Sequence, residues 1–407
     1  MPHALAQAVE LATTALAVAG MGYFLASIIA ARVFLHDRRS PKPAFAPAVT
    51  ILKSLKGLDP GMMDAFRSHC RQNYAGEFEL LFGVSSLDDP AAAVVKQLQG
   101  EFPERAIQLI ECPQRLGTNG KVSTLAQLVE HARRDFLLIN DSDITVSPRY
   151  LERVMCCFAP ASRDAAKSPV GLVTTLYRGK AHRPVSRGSG LPSRPPSQLE
   201  ALGIATEFMP GVLLSKMIEG GLHYGLGSTL AVRREALDKI GGLLPLVDYL
   251  ADDYELGARV ANAGYRIELS AEVVETAIPA YAWRGFFDHQ LRWLRTVRCA
   301  RPWGYAGLIV THGFGWTLVN VLASGMSPLS LWLLALSFFL RLAQAMTVGA
   351  AVLADHEVLP YLWLLPLRDV VAMALWVAGS AADTIVWRGE RFTLKDGKLV
   401  PPEPTPS

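Results

Sequence analysis

The sequence predicts an α/β sheet domain carrying transmembrane helices at both ends, and three observations lead there. From about residue 48 to residue 270, short apolar runs alternate with helical stretches, the pattern of a doubly wound, mostly parallel sheet flanked by helices. Leu11 to Ala31 holds no Asp, Glu, Lys or Arg over 21 residues, enough for a helix to cross a hydrocarbon core that needs about 20. Pro302 to Leu340 lacks the same four residue types over 39 positions, room for two passes with a turn near Ser324–Pro328. Half of the chain is hydrophobic and its mean hydropathy is positive, in keeping with membrane segments.

Charge and cysteine content narrow the function classes. A formal net charge of +3 gives no reason to expect a nucleic-acid partner. The five cysteines, at 70, 112, 156, 157 and 299, show no metal-ligand spacing. They read as reduced thiols rather than a zinc site or a disulfide framework.

In chain order, the amino-terminal apolar stretch reads as an anchor. A cleaved signal peptide is the rival, but Met1 to Glu10 lacks a basic start. Arg32, Arg38, Arg39 and Lys42 follow, so the positive-inside bias puts the next segment in the cytoplasm. Val49–Leu52 is the first strand, then a helix over Met62–Asn73, a strand over Phe78–Val84, a helix over Pro90–Glu101 and a strand over Ile107–Ile110. Gly117-Thr-Asn-Gly-Lys121 opens a helix over Val122–Arg133, which feeds a strand from Phe136 into Asn140-Asp-Ser-Asp143. Ligands bind at the carboxyl ends of strands in such sheets. Gly179 to Gln198, rich in Pro, Ser, Gly and Arg, reads as a flexible loop or insertion rather than a domain boundary. A last apolar block runs from Leu359 to Trp387, interrupted by Arg368-Asp369, which are expected to pair with each other. One amino-terminal and three carboxy-terminal spans would place the basic tail outside, so either one apolar block is re-entrant or interfacial or the tail breaks the positive-inside bias.

Four stretches carry chemistry. Asp141 and Asp143, one residue apart at a strand end, present hard oxygen ligands to one Mg²⁺ or Mn²⁺ if the segment stays extended. Asp252-Asp253 opens a helix: the acids either cap its first turn, or one acts as general base with its proton affinity raised by the other. Asn119 and Lys121 lie in a Gly-rich turn at a helix start, where a lysine can meet a diphosphate. His223-Tyr-Gly-Leu-Gly-Ser228 allows close backbone approach to a sugar, and reads equally as a plain turn. Beyond them Phe286–Arg301 spaces Arg292, Arg295, Arg298 and Arg301 by three, a helix suited to the membrane interface.

Together these stretches resemble the ceramide glucosyltransferase family, in particular its bacterial members associated with hopanoid lipid biosynthesis. The resemblance runs from about Val49 to Phe392. It is carried by Leu52-Lys-Ser-Leu-Lys-Gly-Leu-Asp-Pro-Gly61, Gly117–Val122, Asn140–Asp143, Gly171–Thr174, Ala251-Asp-Asp-Tyr254, His289-Gln-Leu-Arg-Trp293 and Leu365-Pro-Leu-Arg-Asp369. It implies a GT-A nucleotide-sugar-binding domain, a UDP-sugar donor, a divalent metal at Asp141 and Asp143, and Asp253 as base in an inverting displacement. Arg292 and Trp293 match the end of the family's (Gln/Arg)-x-x-Arg-Trp signature, whose first place holds His289 here. The aspartate that the family usually carries three residues before Asp-Pro-Ala is replaced by Ser86, so contact with uracil or ribose is expected either to pass to Asp88 or Asp89 or to be lost.

The reading is therefore an anchor over 1–35, a catalytic domain over 45–282, an interfacial basic helix over 283–301, a membrane region over 302–390 and a tail over 391–407. The resemblance implies a bacterial inner-membrane enzyme with its catalytic domain cytoplasmic, moving one sugar from a UDP-sugar to a lipid hydroxyl. Glucose and N-acetylglucosamine both fit as the sugar, and ceramide and a hopanoid polyol both fit as the acceptor. Two rivals share the motifs: a processive polysaccharide synthase and an inactive scaffold on the same fold.

Overall fold

The computed structural model describes residues 2–40, 42–160, 168–181, 195–280, 282–387 and 390–401. The chain forms two interleaved units: Met1–Arg39, Arg183–Ile218 and Ala280–Leu394 make one, and Ser40–His182, Glu219–Pro279 and Lys395–Ser407 make the other.

The chain begins with helix α1 (Pro2–Asp37), 36 residues long and nearly free of charge. Unit two follows with β1 (Val49–Ser54), α2 (Met62–Cys70), β2 (Phe78–Val84), α3 (Pro90–Glu101), β3 (Ala106–Glu111), α4 (Gly120–His131) and β4 (Phe136–Ile139). Each strand and helix here was expected, with shifts of a few residues at the ends. β4 is buried along its whole length and β1 along all but its last residue. Parallel strands covered by helices on both faces are near-continuously apolar for this reason. β2 approaches α4 closely: a Cβ on Gly83 would stand 2.6 Å from Thr124 and 2.8 Å from Leu128.

Short β5 (Ile144–Thr145), α5 (Tyr150–Met155) and the long β6 (Val170–Ala181) come next. The expected loop over 179–198 is thus strand at its start and helix at its end, and residues 182–194 lie outside the described residues. Helices α6 (Pro195–Gly203) and α7 (Met209–Ile218), joined by a π turn at Ile204–Phe208, make one 24-residue apolar helix of the other unit. The stretch 45–282 is thus divided between the two units. The chain then re-enters the sheet as β7 (Leu230–Arg233), followed by α8 (Arg234–Lys239), α9 (Asp252–Asn262) and β8 (Arg266–Ile278).

The eight strands run in the order β3-β2-β1-β4-β7-β6-β8-β5. β1 pairs in parallel with β2 and β4, β2 with β3, and β6 with β8; β7 runs antiparallel between β4 and β6, and β5 runs antiparallel to β8. The helix Pro195–Ile218 therefore lies in the chain between two neighbouring strands of one sheet, β6 and β7.

The chain continues in the apolar unit with α10 (Trp283–Ala300), α11 (Pro302–Gly307), α12 (Gly313–Ala323), α13 (Pro328–Ala345) and α14 (Leu365–Gly379). A hairpin of β9 (Thr384–Trp387) and β10 (Glu390–Lys395) follows, and β11 (Lys398–Val400) belongs to the sheet unit. Among the described residues, five helices are long and apolar enough to cross a membrane. α1 and α12 meet where Gly20 and Gly313 leave no room for a Cβ on either.

Arg341, Arg368 and Asp369, which interrupt these apolar helices, are paired, though Arg368 and Asp369 not as expected. Arg368 and Asp369 do not bond each other. Arg341 holds Asp369 at 2.7 Å and donates to the Thr206 carbonyl at 2.5 Å, while Arg368 pairs with Glu207 at 2.7 Å. Adjacent positions on a helix point about 100° apart, so each residue meets a different neighbour.

Candidate active site

The site is built at the carboxyl end of β4, where the chain turns through Asp141-Ser-Asp143 into β5. The segment is a turn rather than an extended strand, and the two carboxylates face different partners. Asp141 is partly exposed and lies 2.8 Å from the Lys121 ammonium. Asp143 accepts from Thr276 Oγ1 on β8 at 2.6 Å. Burial first, and then the Asp141 charge, push the Asp143 carboxyl up to about 6. Between them, Ser142 donates to Asp59.

Two buried groups behind the turn hold it. Lys53, at the end of β1 and fully buried, donates to the Asp141 carbonyl at 2.9 Å. Burial lowers its ammonium to about 7, against the opposing pull of Asp141 and Asp143. Asn140 bonds the His69 ring at 2.9 Å, and His69 Nδ1 meets the Ala65 carbonyl at 2.8 Å. Since a carbonyl only accepts, Nδ1 carries the proton and Nε2 accepts from Asn140. Neither Lys53 nor His69 was singled out from the sequence, where Lys53 was only part of a longer motif.

Lys121 stands in the first turn of α4 and bridges two acids, Asp141 at 2.8 Å and Asp252 at 3.1 Å. Burial opposes its charge, but those two carboxylates outweigh it and hold the ammonium well above its ordinary range. Asn119 caps the same helix. Its Oδ1 accepts from Val122 N at 3.2 Å, and its Nδ2 donates to the Tyr249 carbonyl at 2.7 Å. With both amide atoms engaged and no exposed surface, Asn119 joins two loops rather than presenting itself to a ligand.

Asp252 and Asp253 occupy the first turn of α9. Asp253 accepts two backbone N–H groups, Gly227 at Oδ2 and Tyr254 at Oδ1, each at 2.8 Å. Burial, then the neighbouring Asp252, raise its carboxyl to about 6, with Lys121 pulling the other way. The glycines of the 224–227 loop allow this contact: a Cβ on Gly225 would meet the Asp253 carbonyl at 2.9 Å, and one on Gly257 would meet Gly225 N at 2.1 Å. The close backbone approach read from His223–Ser228 is thus made to α9. Thr174 fixes the same loop, accepting from Leu226 N at 3.0 Å and donating to the Thr229 carbonyl at 2.8 Å.

Asp89 caps α3 and takes Gly57 N at 2.9 Å, so its carboxylate holds the loop after β1. Asp88 is exposed, and its own N–H donates to Ser86 Oγ at 3.2 Å. His289, Arg292 and Trp293 lie on α10 in the apolar unit. There His289 Nδ1 is 3.2 Å from Glu200 Oε2 and its ring lies 5.0 Å from Trp293. The basic face of α10 is engaged within the same unit: Arg298 donates to the Ser380 and Ala382 carbonyls at 2.6 and 2.9 Å, and Arg295 to that of Thr384.

Among the described residues, no group of three or more His, Cys, Asp or Glu side chains is arranged to hold a metal ion. The donor set nevertheless suits a hard divalent cation. Two carboxylates, those of Asp141 and Asp252, share one strongly charged amine, Lys121, and those of Asp143 and Asp253 are raised first by burial and then by the negative charge of a neighbour. Mg²⁺ characteristically takes one or two carboxylates and completes its shell with substrate phosphates and water.

Comparison with known proteins bears on this arrangement. The profile of Glycosyl transferase family 21 matches residues 12–400. Ceramide glucosyltransferase 3 of Caenorhabditis elegans is 23% identical over 96% of this chain and 84% of its own length. Ceramide glucosyltransferase 1 of the same organism is 22% identical over 89% and 75%. Among solved structures, a mannosyltransferase from Pyrobaculum calidifontis in complex with GDP-Man and Mn²⁺ aligns with a TM-score of 0.52, over 91% of this chain and 97% of that one, at 18% identity. That likeness establishes a GT-A-like fold.

Proposed function

The chain belongs to glycosyl transferase family 21, and on that premise we propose a membrane-bound inverting enzyme that moves one sugar from a UDP-sugar to the hydroxyl of a ceramide-like lipid. The observation that carries this reading is the Lys121 bridge between Asp141 and Asp252, set beside the twice-bonded carboxylate of Asp253.

Asp253 accepts the proton of the acceptor hydroxyl as its oxygen bonds to the anomeric carbon. The bond from that carbon to the diphosphate breaks with its electron pair on the departing UDP, and the configuration inverts. A carboxyl raised to about 6 remains ionised near neutrality while holding a proton better than an ordinary aspartate, which suits a general base. The two N–H groups of Gly227 and Tyr254 fix its orientation. Lys121, released from its carboxylate partners, meets the diphosphate as a point charge. Asp141 and Asp143 would hold Mg²⁺ or Mn²⁺, which when bound neutralises charge on the leaving diphosphate. Asp88, exposed before α3, would contact the nucleoside. Asp89 and Asn119 support the loops around it. His289, Arg292 and Trp293 stand on α10 at the place of the family's (Gln/Arg)-x-x-Arg-Trp signature. The names of the C. elegans relatives favour glucose and ceramide. The arginines and lysine after α1 favour a cytoplasmic catalytic unit.

The test is transfer from labelled UDP-glucose and UDP-N-acetylglucosamine, with Mn²⁺ or Mg²⁺, by detergent-solubilised protein into ceramide and into a total lipid extract. A single-sugar ceramide from UDP-glucose is expected. A ladder of sugars would favour a polymer synthase, and no labelled lipid from a folded preparation would overturn the assignment.

A further inference from the structure

The segment Asp396–Leu399, beyond every apolar helix, rejoins the sheet unit at the loop that delivers the catalytic acids. Tyr249 and Lys398 form an antiparallel bridge. Leu399 N donates to the Asp248 carbonyl at 2.8 Å, and Leu250 N donates to the Gly397 carbonyl at 3.2 Å. The Leu399 side chain is buried. The turn that aims this strand is left-handed at both its residues, with φ of 51° at Asp396 and 77° at Gly397, and Gly397 leaves only 3.4 Å between an added Cβ and the Tyr249 ring. Lys398 and Arg259 both lie over that ring, at 5.4 and 5.3 Å.

The other side of the same loop is held by the turn before α4. Asp248 Oδ1 accepts from Thr118 N at 3.0 Å, and the Val247 and Tyr249 carbonyls accept from Asn119 N and Nδ2, each at 2.7 Å. Residues 247–250 are therefore gripped from both sides, by the turn that carries Lys121 and by the carboxy-terminal strand. Two residues later stand Asp252 and Asp253.

From this juxtaposition we propose that Asp396–Leu399 is a positioning element for Asp252 and Asp253, and that it shares their side of the membrane, so that Ala280–Leu394 crosses an even number of times. The positioning half rests on the reading of Asp253 as base; the topological half does not. It removes the conflict over the basic tail, since Lys395 and Lys398 then lie on the same side as Arg38 and Lys42. One of the three apolar stretches after residue 301 then enters and leaves on one side.

The experiment compares the full chain, a chain ending at Lys395, Leu399→Asp and Leu399→Ile, each purified in detergent. Donor affinity is read by UDP-glucose titration and turnover by lipid transfer. Misplacing a reacting group by about 1 Å can cost on the order of 100-fold in rate. The truncated chain and Leu399→Asp are therefore expected to bind donor within about threefold of the parent while kcat falls at least tenfold, and Leu399→Ile to restore kcat. Unchanged kcat in the truncated chain, or donor affinity lost in step with kcat, would overturn the positioning role. Turnover retained by Asp253→Asn would count against the base assignment alone. For topology, an impermeant thiol reagent is applied to sealed vesicles carrying Pro401→Cys or the exposed Glu104→Cys, with Cys156 and Cys299 replaced by serine. Labelling of both from one side is expected; labelling from opposite sides would refute the even crossing number.

Discussion

Asp253→Asn separates chemistry from structure because the two effects on stability oppose each other. The carboxyl rises from 3.8 to about 6 in the fold, so its ionised form is disfavoured there. The sign is therefore destabilising above the unfolded value, and by pH 7 the charged side chain costs about 3 kcal/mol of folding stability. An asparagine removes that cost. It also turns an amide NH₂ toward one of the two N–H groups that Asp253 accepts, leaving a buried donor unpaired at about 1–3 kcal/mol. These terms offset, and the variant should melt close to the parent. Turnover, by contrast, should fall by about 10²–10⁴-fold, the usual contribution of a general base. In the parent, kcat/KM should decline as pH falls through about 6, to roughly a tenth of its plateau at pH 5. In Asp252→Asn, which removes the neighbouring charge, that limb should move to lower pH. The assay is transfer of labelled glucose from UDP-glucose to ceramide between pH 4.5 and 8, with melting followed in the same detergent. More than a tenth of parental turnover in Asp253→Asn, or a parental limb below pH 4.5, would refute the assignment.

Three further outcomes are expected. Lys121→Met leaves Asp141 and Asp252 without the amine they share. Donor KM should rise by about tenfold or more, and the acid limb of turnover should move to higher pH because Lys121 lowers the Asp253 carboxyl; an unmoved limb would argue against this electrostatic link. Arg341→Met strands the buried Asp369 and should cost about 3–5 kcal/mol in unfolding measurements, most of it recovered in Arg341→Met/Asp369→Leu. Gly83→Ala forces a methyl group within 3 Å of Thr124 and Leu128 and should cost about 1–3 kcal/mol, measured as a lowered melting temperature with donor affinity retained.

What the sequence made legible follows from burial. β1 to β4 read as apolar runs because a parallel sheet covered on both faces admits few polar residues. β8 was obscured by Glu268, Glu272 and Glu275, whose partners Lys42, Arg153 and Arg178 lie far away in sequence. β7 is four residues long and offers too little pattern to find. Within the site, the acids were visible because each follows an apolar run. Lys53, Asp59 and the Gly227 N–H were not, since each acquires its place only when a segment at least 26 residues away folds against it.

The largest departure from the simple reading is the apolar helix inserted between β6 and β7, and it explains another departure. Arg341, Arg368 and Asp369 interrupt apolar stretches in which an uncompensated charge is costly. Arg368 and Asp369 were expected to compensate each other locally. Instead, Thr206 and Glu207, at the π turn within Pro195–Ile218, supply a carbonyl to Arg341 and a carboxylate to Arg368. A π turn widens the helix at this point and frees a carbonyl from the regular ladder, which an arginine can then take. Gly203, one turn earlier, is needed as well: a Cβ there would lie 2.5 Å from the Arg368 guanidinium. The inserted helix and the charged carboxy-terminal stretches thus depend on each other, so the chain could not lose the insertion without leaving two arginines short of partners in an apolar unit.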